Sequence, residues 1–324
     1  MTALCGWIGE ALSAPETTLA TMGQKLGGTN LQRRAIHAPQ GALLTAALRQ
    51  APAIASDGAL YASIIGNPQF ADGELRQLAQ QQGPAAALLA GYQKYGAKVL
   101  QQVHDRYCVV VIDLASHTAL LAVDRFASIN LAYCRHNGAL AFATSLKALT
   151  AHPALPHEVD PQAIYHYLYF HMIPGPGTIY RQQQRLQPGE YLLYQKGEVR
   201  LERYWQPKFD ELISRPFDEQ KTRFIELLQQ GVKDAAAGAE TGCFLSGGTD
   251  SSTIAGMLTR VTGKPARSFS IGFEAEGYDE MEFARLAVKQ FGTQHTEYYV
   301  TPDDVVAGIP LIAASADQPF GNSS

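Results

Sequence analysis

An apolar run ends at Leu245 and gives way to Ser246-Gly247-Gly248-Thr249-Asp250-Ser251-Ser252. Each residue type in that stretch has a chemical use. Gly247 and Gly248 allow backbone N–H groups to approach an anion with no Cβ in the way. The helical pattern that follows opens with unpaired N–H donors and the positive end of a helix dipole. Ser246, Ser251 and Ser252 can add hydroxyl donors to phosphate oxygens. Asp250 repels a bare phosphate, so its carboxylate implies a bridging divalent cation, most simply Mg²⁺. A polar strand-to-helix turn with an Asp or Ser cap would explain the same residues without a ligand. The complete run between an apolar stretch and a helix is more specific than a lone Gly pair, and it favours phosphate. It is not the G-x-x-x-x-G-K-[ST] loop, because no Lys follows its last Gly.

The elements around this loop alternate cleanly. A helix is expected over about 218–236, a strand over 243–245 and the loop helix over 250–261. Strand 267–273, helix 279–291 and strand 295–300 follow. Thr301-Pro302-Asp303-Asp304 then caps a last helix through about Ala314. This is the pattern of a doubly wound α/β sheet. With only about three strands it is incomplete, and the sequence therefore leads to the expectation of a fragment whose larger domain continues past Ser324.

The residues before about Trp205 read differently. Strand-like runs at 61–65, 107–114, 119–123, 139–143 and 190–194 are interspersed with helical patterns at 73–82, 85–95 and 161–169, an α+β arrangement. The polar stretch 209–217 is read as a linker, which gives domains of 1–207 and 208–324. The chain has 324 residues, 46% hydrophobic and 17% charged, with a net charge of −4. That fits a protein with sizeable cores and offers no basic field for nucleic acid. The apolar runs are too short to span a bilayer, and there is no signal peptide pattern. Cys5, Cys108, Cys134 and Cys243 lack metal or disulfide spacing, which suits a reducing cytoplasm.

The Ser-Gly-Gly-x-Asp-Ser loop resembles the pyrophosphate loop of ATP pyrophosphatases. Over essentially its whole length the chain resembles the asparagine synthetase family. Ser268-Phe269-Ser270-Ile271-Gly272-Phe273 looks like the family's adenine-side strand. Tyr278-Asp279-Glu280, Gly292-Thr293-Gln294-His295 and Asp317-Gln318-Pro319-Phe320 follow at family spacing. In the first half Cys5-Gly6-Trp7-Ile8-Gly9 resembles the start of a glutaminase. Val123-Asp124-Arg125-Phe126-Ala127 matches a segment in which Gly is usual instead of Ala127. The resemblance implies an Ntn-type αββα sandwich (a type-2 glutamine amidotransferase domain), followed by an incomplete α/β PP-loop domain. It implies ATP and Mg²⁺ as cofactors. Leu245, Ser246, Gly247, Gly248, Asp250, Ser251, Ser252 and Ile271 would be nucleotide contacts, and Asp250 the Mg²⁺ ligand. The implied reaction is an AMP-forming ligation of a small carboxylate with ammonia or an amine. Neither membrane nor nucleic acid is implied as a partner, and a homodimer is compatible with it.

Cys5 is the candidate nucleophile, but the machinery around it departs from the family. In relatives the Cys is residue one, and its α-amine is the base. Here Met1-Thr2-Ala3-Leu4 precede it, and ordinary methionine removal would expose Thr2. The oxyanion segment aligns with Gly66-Asn67-Pro68-Gln69-Phe70-Ala71, and the amine-holding Asp aligns near Gly83-Pro84-Ala85-Ala86. The Arg-Gly-Pro-Asp turn is not visible near Gly27-Gly28-Thr29-Asn30, and Arg49 reads as a surface residue. The expectation is a retired glutaminase. His295 is read as a core or strand-end residue, and Asp279 and Glu280 as caps. Asp124-Arg125 is read as an ion pair fixing a turn, and the Tyr165-Tyr167-Tyr169-Phe170 stripe as core and interface. The competing readings are another pyrophosphatase-superfamily enzyme, a truncated non-catalytic binding or scaffold module, and a conventional glutamine-hydrolysing synthetase if Cys5 becomes the N-terminus.

Overall fold

The computed structural model describes residues 2–9, 11–28, 30–48, 53–209, 215–236, 240–274, 279–319 and 321. The chain divides into two compact units, Met1–Lys208 with Ser315–Ser324, and Phe209–Ala314.

The first unit begins with β1 (Thr2–Ile8), α1 (Pro15–Gln24), β2 (Gln32–Ala38), β3 (Gly41–Ala47), β4 (Ala55–Asp57), β5 (Leu60–Gly66) and β6 (Gln69–Phe70). Helices α2 (Gly73–Gln82) and α3 (Pro84–Tyr95) come next, then β7 (Val103–His104), β8 (Tyr107–Asp113), β9 (Thr118–Val123), β10 (Ala132–His136) and β11 (Ala139–Ala143). It continues through α4 (Leu146–Thr150), α5 (Pro161–Phe170), β12 (Gln184–Arg185), β13 (Glu190–Gln195) and β14 (Glu198–Arg203). β6 and β7 pair with each other, and the other strands form two antiparallel sheets, ordered β12-β10-β11-β1-β3-β2 and β14-β13-β9-β8-β5-β4.

The sheets face each other across Leu4, Ile8, Leu43, Val110, Leu121 and Phe142. The outer face of the first sheet packs Cys5, Trp7 and Leu44 against Leu19 and Met22 of α1 and Leu149 of α4. The outer face of the second packs Ile64, Val109 and Leu120 against Leu75 of α2 and Leu88 of α3. The result is the four-layer αββα order. Because both faces of each sheet are covered, β3 and β11 are buried at every position, and each reads as a continuous apolar run instead of alternating.

Asp124, fully buried, fixes the turn after β9. Its carboxylate accepts the N–H groups of Tyr107, Phe126 and Ser128 and the Ser128 hydroxyl. No ion pair with Arg125 is present among the described residues, which corrects the expectation. Arg125 instead lies 2.7 Å from His104 Nδ1 and over the Trp205 ring. Within the same turn Ala127 sits at φ +50°, a left-handed conformation that costs a β-carbon-bearing residue about 1–2 kcal/mol. Ala127→Gly should relieve that strain and stabilise the unit by about 1 kcal/mol after the extra chain entropy of glycine is subtracted. The change in denaturant midpoint at constant slope would measure it.

His152, only 2% exposed, packs edge-on against Trp7 at 5.3 Å between ring centroids. Burial lowers its pKa to about 4. A buried neutral imidazole must charge on unfolding, so the unfolded chain binds the extra proton. Its contribution to stability is present above about pH 6.5 and lost as the pH falls toward 4. The first unit should lose about 2–3 kcal/mol over that window through this residue, and His152→Phe should flatten the dependence. Urea midpoints at pH 7 and pH 4.5 for both proteins would check it.

Helix α5 departs from expectation. Only Ala163 of the helix is buried, while Tyr165, Leu168 and Tyr169 are 60%, 70% and 69% exposed. The aromatic stripe is therefore not core. Tyr165 and Tyr169 stack on each other at the surface.

The second unit consists of α6 (Phe217–Ala236), β15 (Gly242–Phe244), α7 (Thr249–Thr262), β16 (Arg267–Phe273), α8 (Met281–Phe291), β17 (Gln294–Val300) and α9 (Pro302–Ser315), whose last residue falls across the division. Three parallel strands, β15-β16-β17, are joined by α7 and α8. Each strand pairs with its successor, and right-handed crossovers place both connecting helices on the same side. Leu245, Ala255, Met281, Ala284 and Ala287 form the core there, and α6 packs on α7 through Val232 and Leu258. The opposite face presents Phe244, Ile271 and Tyr298 at 86%, 61% and 55% exposure. Where the sequence pattern suggested helices on both faces, α7 and α8 cover one.

Candidate functional site

The Gly-rich turn lies where β15 hands over to α7. Leu245 continues beside β16, its N–H on the Phe269 carbonyl at 2.8 Å and its own carbonyl accepting the Ser270 hydroxyl. The chain then leaves the sheet at Gly247, whose φ is +87°. A Cβ on Gly247 would lie 2.5 Å from the Phe283 carbonyl carbon and the Ala284 nitrogen at the start of α8. Glycine is required there twice, by conformation and by contact. Gly248 is the N-cap of α7 and has no side chain with which to cap it. The side-chain cap that would explain this turn without a ligand is therefore absent, and the opening N–H groups of the helix have no side-chain acceptor.

Ser251 organises the turn. Its hydroxyl donates to the Gly248 carbonyl at 3.2 Å, accepts the Ser246 N–H at 3.2 Å and lies 3.0 Å from the Ser246 hydroxyl. Ser246 and Ser251 thus hold the loop's shape as well as facing it. Ser252, half-buried on the first turn of α7, donates its N–H to the Gly248 carbonyl at 3.0 Å. Asp250 is exposed in the same turn, and its carboxylate makes no hydrogen bond or ion pair among the described residues.

The donor set suits an anion carrying its own cation. The described residues contain no group of three or more His, Cys, Asp or Glu side chains able to hold a metal ion. Mg²⁺ is ordinarily held by one or two carboxylates together with substrate phosphates and water, not by an all-protein cage. A single free Asp250 beside open N–H donors fits that mode. Ile271 is on β16, next to the Ser270 that anchors Leu245, but its side chain is on the sheet face away from α7.

The first unit holds a cavity of 590 Å³ at the ends of β1, β3 and β5. It gathers Thr2, Asn67, Pro68, Gly83 and Pro84, and so brings the aligned oxyanion and amine-binding segments to one place. Cys5 is not among its walls. In β1, Leu4 and Ile8 face the opposing sheet while Cys5 and Trp7 face α1 and α4. Cys5 is mid-strand and fully buried, paired with Leu44 on one side and Ala143 on the other. Burial drives its thiol far above the ordinary range, with only a small opposing pull from the Arg33 charge. Cys5 is thus a core residue at the centre of β1.

The Asn67 segment is also committed elsewhere. The Asn67 N–H donates to the Arg106 carbonyl at 2.8 Å and the Ala71 N–H to the Gln102 carbonyl at 2.8 Å. Asn67 Nδ2 reaches Asp105 at 3.2 Å, and Pro68 has no N–H. Arg49, Thr29, Tyr278 and Phe320 lie outside the described residues.

His295 opens β17 with its side chain 8% exposed, Nδ1 2.9 Å from the fully buried Ser268 hydroxyl and Nε2 3.7 Å from Glu297. Asp279 accepts the Met281 N–H at 3.3 Å as a cap of α8, whereas Glu280 makes no side-chain cap. Sequence reasoning missed Ser270, the anchor of Leu245, and the backbone of Phe283 and Ala284 as the seat of Gly247. The small residues at alternate positions of β16 (Ser268, Ser270 and Gly272) were the available sign of close packing.

Two family models match. A glutamine amidotransferase domain covers residues 53–205 and asparagine synthase covers residues 223–324. A putative glutamine-hydrolyzing asparagine synthetase of Mycobacterium tuberculosis is 30% identical over 251 residues, 74% of this chain and 38% of that protein. Asparagine synthetase [glutamine-hydrolyzing] 1 of Bacillus subtilis is 23% identical over 72% of this chain and 37% of its own length. A putative homologue of Methanocaldococcus jannaschii is 28% identical over 73% and 47%. A solved glutamine phosphoribosylpyrophosphate amidotransferase of B. subtilis, complexed with ADP and GMP, overlays with a TM-score of 0.44 at 12% identity, over 95% of this chain and 92% of that one. The chain thus spans less than half the length of these curated relatives. Matched by an amidotransferase model before the linker and by the asparagine synthase model after it, and alignable with asparagine synthetases through both, the chain belongs to the asparagine synthetase family.

Proposed function

We propose that the second unit belongs to an ATP-dependent, AMP-forming ligase that joins a small carboxylate to ammonia or an amine. The observation that carries this reading is the uncapped N-terminus of α7 behind the Gly247-Gly248 turn, with Asp250 free beside it. The substrate carboxylate oxygen attacks the α-phosphorus of ATP, and the bond to the β,γ-pyrophosphate breaks. The amine then attacks the acyl carbon and AMP leaves. Charge builds on the departing pyrophosphate, and fixed N–H donors aimed at it stabilise that charge with little reorganisation. Asp250 would hold Mg²⁺, which neutralises phosphate charge when bound. Ser246 and Ser251 keep the donors in place, and Ile271 would flank the base.

Three observations support a silent amidotransferase half. Cys5 is buried on the wrong face of β1, its thiol is held protonated by burial, and the Asn67 donors are already used. A nucleophile needs both access and a thiolate. On this reading ammonia or an amine, not glutamine, supplies nitrogen.

Exchange of labelled pyrophosphate into ATP, dependent on added carboxylate and Mg²⁺, would test the adenylation step in the full-length protein. Its absence across a panel of amino and carboxylic acids would reject the ligase. Glutamate release from glutamine is expected at background and unchanged by Cys5→Ala. Thiol-dependent release would restore the glutamine-hydrolysing alternative.

A further inference from the structure

A second cavity of the first unit, 360 Å³ in volume, is lined by residues of β10, α4 and β12, by the stretch after α5 and by residues 315–319. It shares no residue with the cavity at the ends of β1, β3 and β5. Ala132, Leu146 and Ile173 are its buried apolar walls. Its described lining residues include two ions, Arg185 and Asp317, which are not paired with each other.

Arg185 is half-buried, and its Nη2 donates to the Ile173 carbonyl at 2.7 Å. Nε and Nη1 make no hydrogen bond among the described residues, and neither is sealed from open space. Burial lowers the pKa of this guanidinium, and no carboxylate acts to raise it. A half-buried cation without a counter-ion is costly, which is why such groups are ordinarily paired. Asp317 is half-buried too. Its Oδ1 accepts the Ser145 hydroxyl at 2.7 Å and, more distantly, the Lys147 N–H at 3.5 Å. Its Oδ2 accepts nothing among the described residues and is likewise open. The other polar walls offer less. The Thr144 hydroxyl is committed to the Leu4 backbone, and Gln318 Oε1 is closed off.

We propose that this cavity binds a free amino acid with an uncharged, apolar side chain. Its carboxylate meets the open nitrogens of Arg185, its ammonium meets Oδ2 of Asp317, and its side chain lies against Ala132, Leu146 and Ile173. Each charge of the cavity then faces its opposite. A simple carboxylate would satisfy Arg185 but set a second anion beside Asp317, and a simple amine would leave the guanidinium bare. A side-chain carboxylate, as in aspartate, finds no second cation among the described lining residues. This assignment holds whether or not the Gly247-Gly248 loop serves adenylation, and whatever supplies the nitrogen.

The probes are L-leucine, isocaproate (leucine without its ammonium), isoamylamine (leucine without its carboxylate) and L-aspartate. Calorimetry on the full-length protein should show leucine binding about tenfold or more tightly than each of the other three, the scale of one lost charge-assisted contact. Arg185→Gln should weaken leucine and isocaproate by about the same factor and leave isoamylamine unchanged. Asp317→Asn should weaken leucine and isoamylamine and leave isocaproate equal or tighter. Unchanged thermal melts would show that the variants fold. If Arg185→Gln does not, the four-ligand comparison on the unaltered protein and the Asp317→Asn result still decide. No leucine binding would overturn the assignment and leave the two ions bridged by water alone. Isocaproate, isoamylamine or aspartate matching leucine would overturn it as well, and so would a leucine affinity indifferent to both substitutions.

Discussion

Gly247→Ala is expected to destabilise the second unit by about 3 kcal/mol and to remove measurable nucleotide binding, whereas Gly248→Ala should cost under about 1 kcal/mol. The two glycines are adjacent but differ physically. Gly247 has φ +87°, and its missing Cβ would be 2.5 Å from backbone atoms of α8. Those atoms cannot swing aside as a side-chain end could, so either the loop or the helix must move. Gly248 has φ −67° and would meet nothing nearer than the Ser246 hydroxyl at 3.6 Å. Amide hydrogen exchange across α7 and α8 would report the second unit separately from the first. Equal protection in the two variants would show that the loop has slack the structure does not display.

Asp250→Asn should weaken Mg-ATP binding roughly 10- to 100-fold, the loss of one charge-assisted contact. The same substitution should leave metal-free ATP binding equal or slightly tighter, because it removes a negative charge beside the phosphates. The opposite signs separate a metal ligand from a structural residue. Asp250 has no partner in the described protein to lose, so a shared loss in both titrations would point away from Mg²⁺. Calorimetry with and without Mg²⁺ on the full-length protein measures both arms.

Much of the second unit was legible because its signals are local. The strand over 267–273 and the turn at Gly247-Gly248 coincide with β16 and the β15–α7 junction, since a Gly pair between a β-rich run and an amphipathic stretch fixes its own geometry. The first unit was harder. Leu4, Cys5, Trp7 and Ile8 are all apolar because both faces of β1 are covered. With no alternation to read, nothing in the segment says which face looks toward the other sheet. That hid the direction of Cys5, although the departures at Pro68 and Pro84 were visible. Ala127 shows the converse. Its left-handed backbone is invisible in its own residue type and was signalled only by comparison with the glycine usual at that place. The α5 stripe misled because aromatic spacing says that a helix has an apolar face, not what covers it.

The position of β1 has a consequence for how the chain is made. β1 lies inside its sheet, between β3 and β11, and Leu4 bonds to Thr144, which is 140 positions later. At ordinary translation rates the second edge of β1 must wait roughly ten seconds or more for its partner to be synthesised. β3 arrives early and can cover one edge. The other edge, flanked by the apolar residues Leu4 and Ile8, stays open to mispairing throughout that interval. Productive folding of the first unit is therefore a late event on the ribosome. A chain stalled before Ala139 should be held by chaperones, whereas one extended well beyond Ala143 should become protease-resistant.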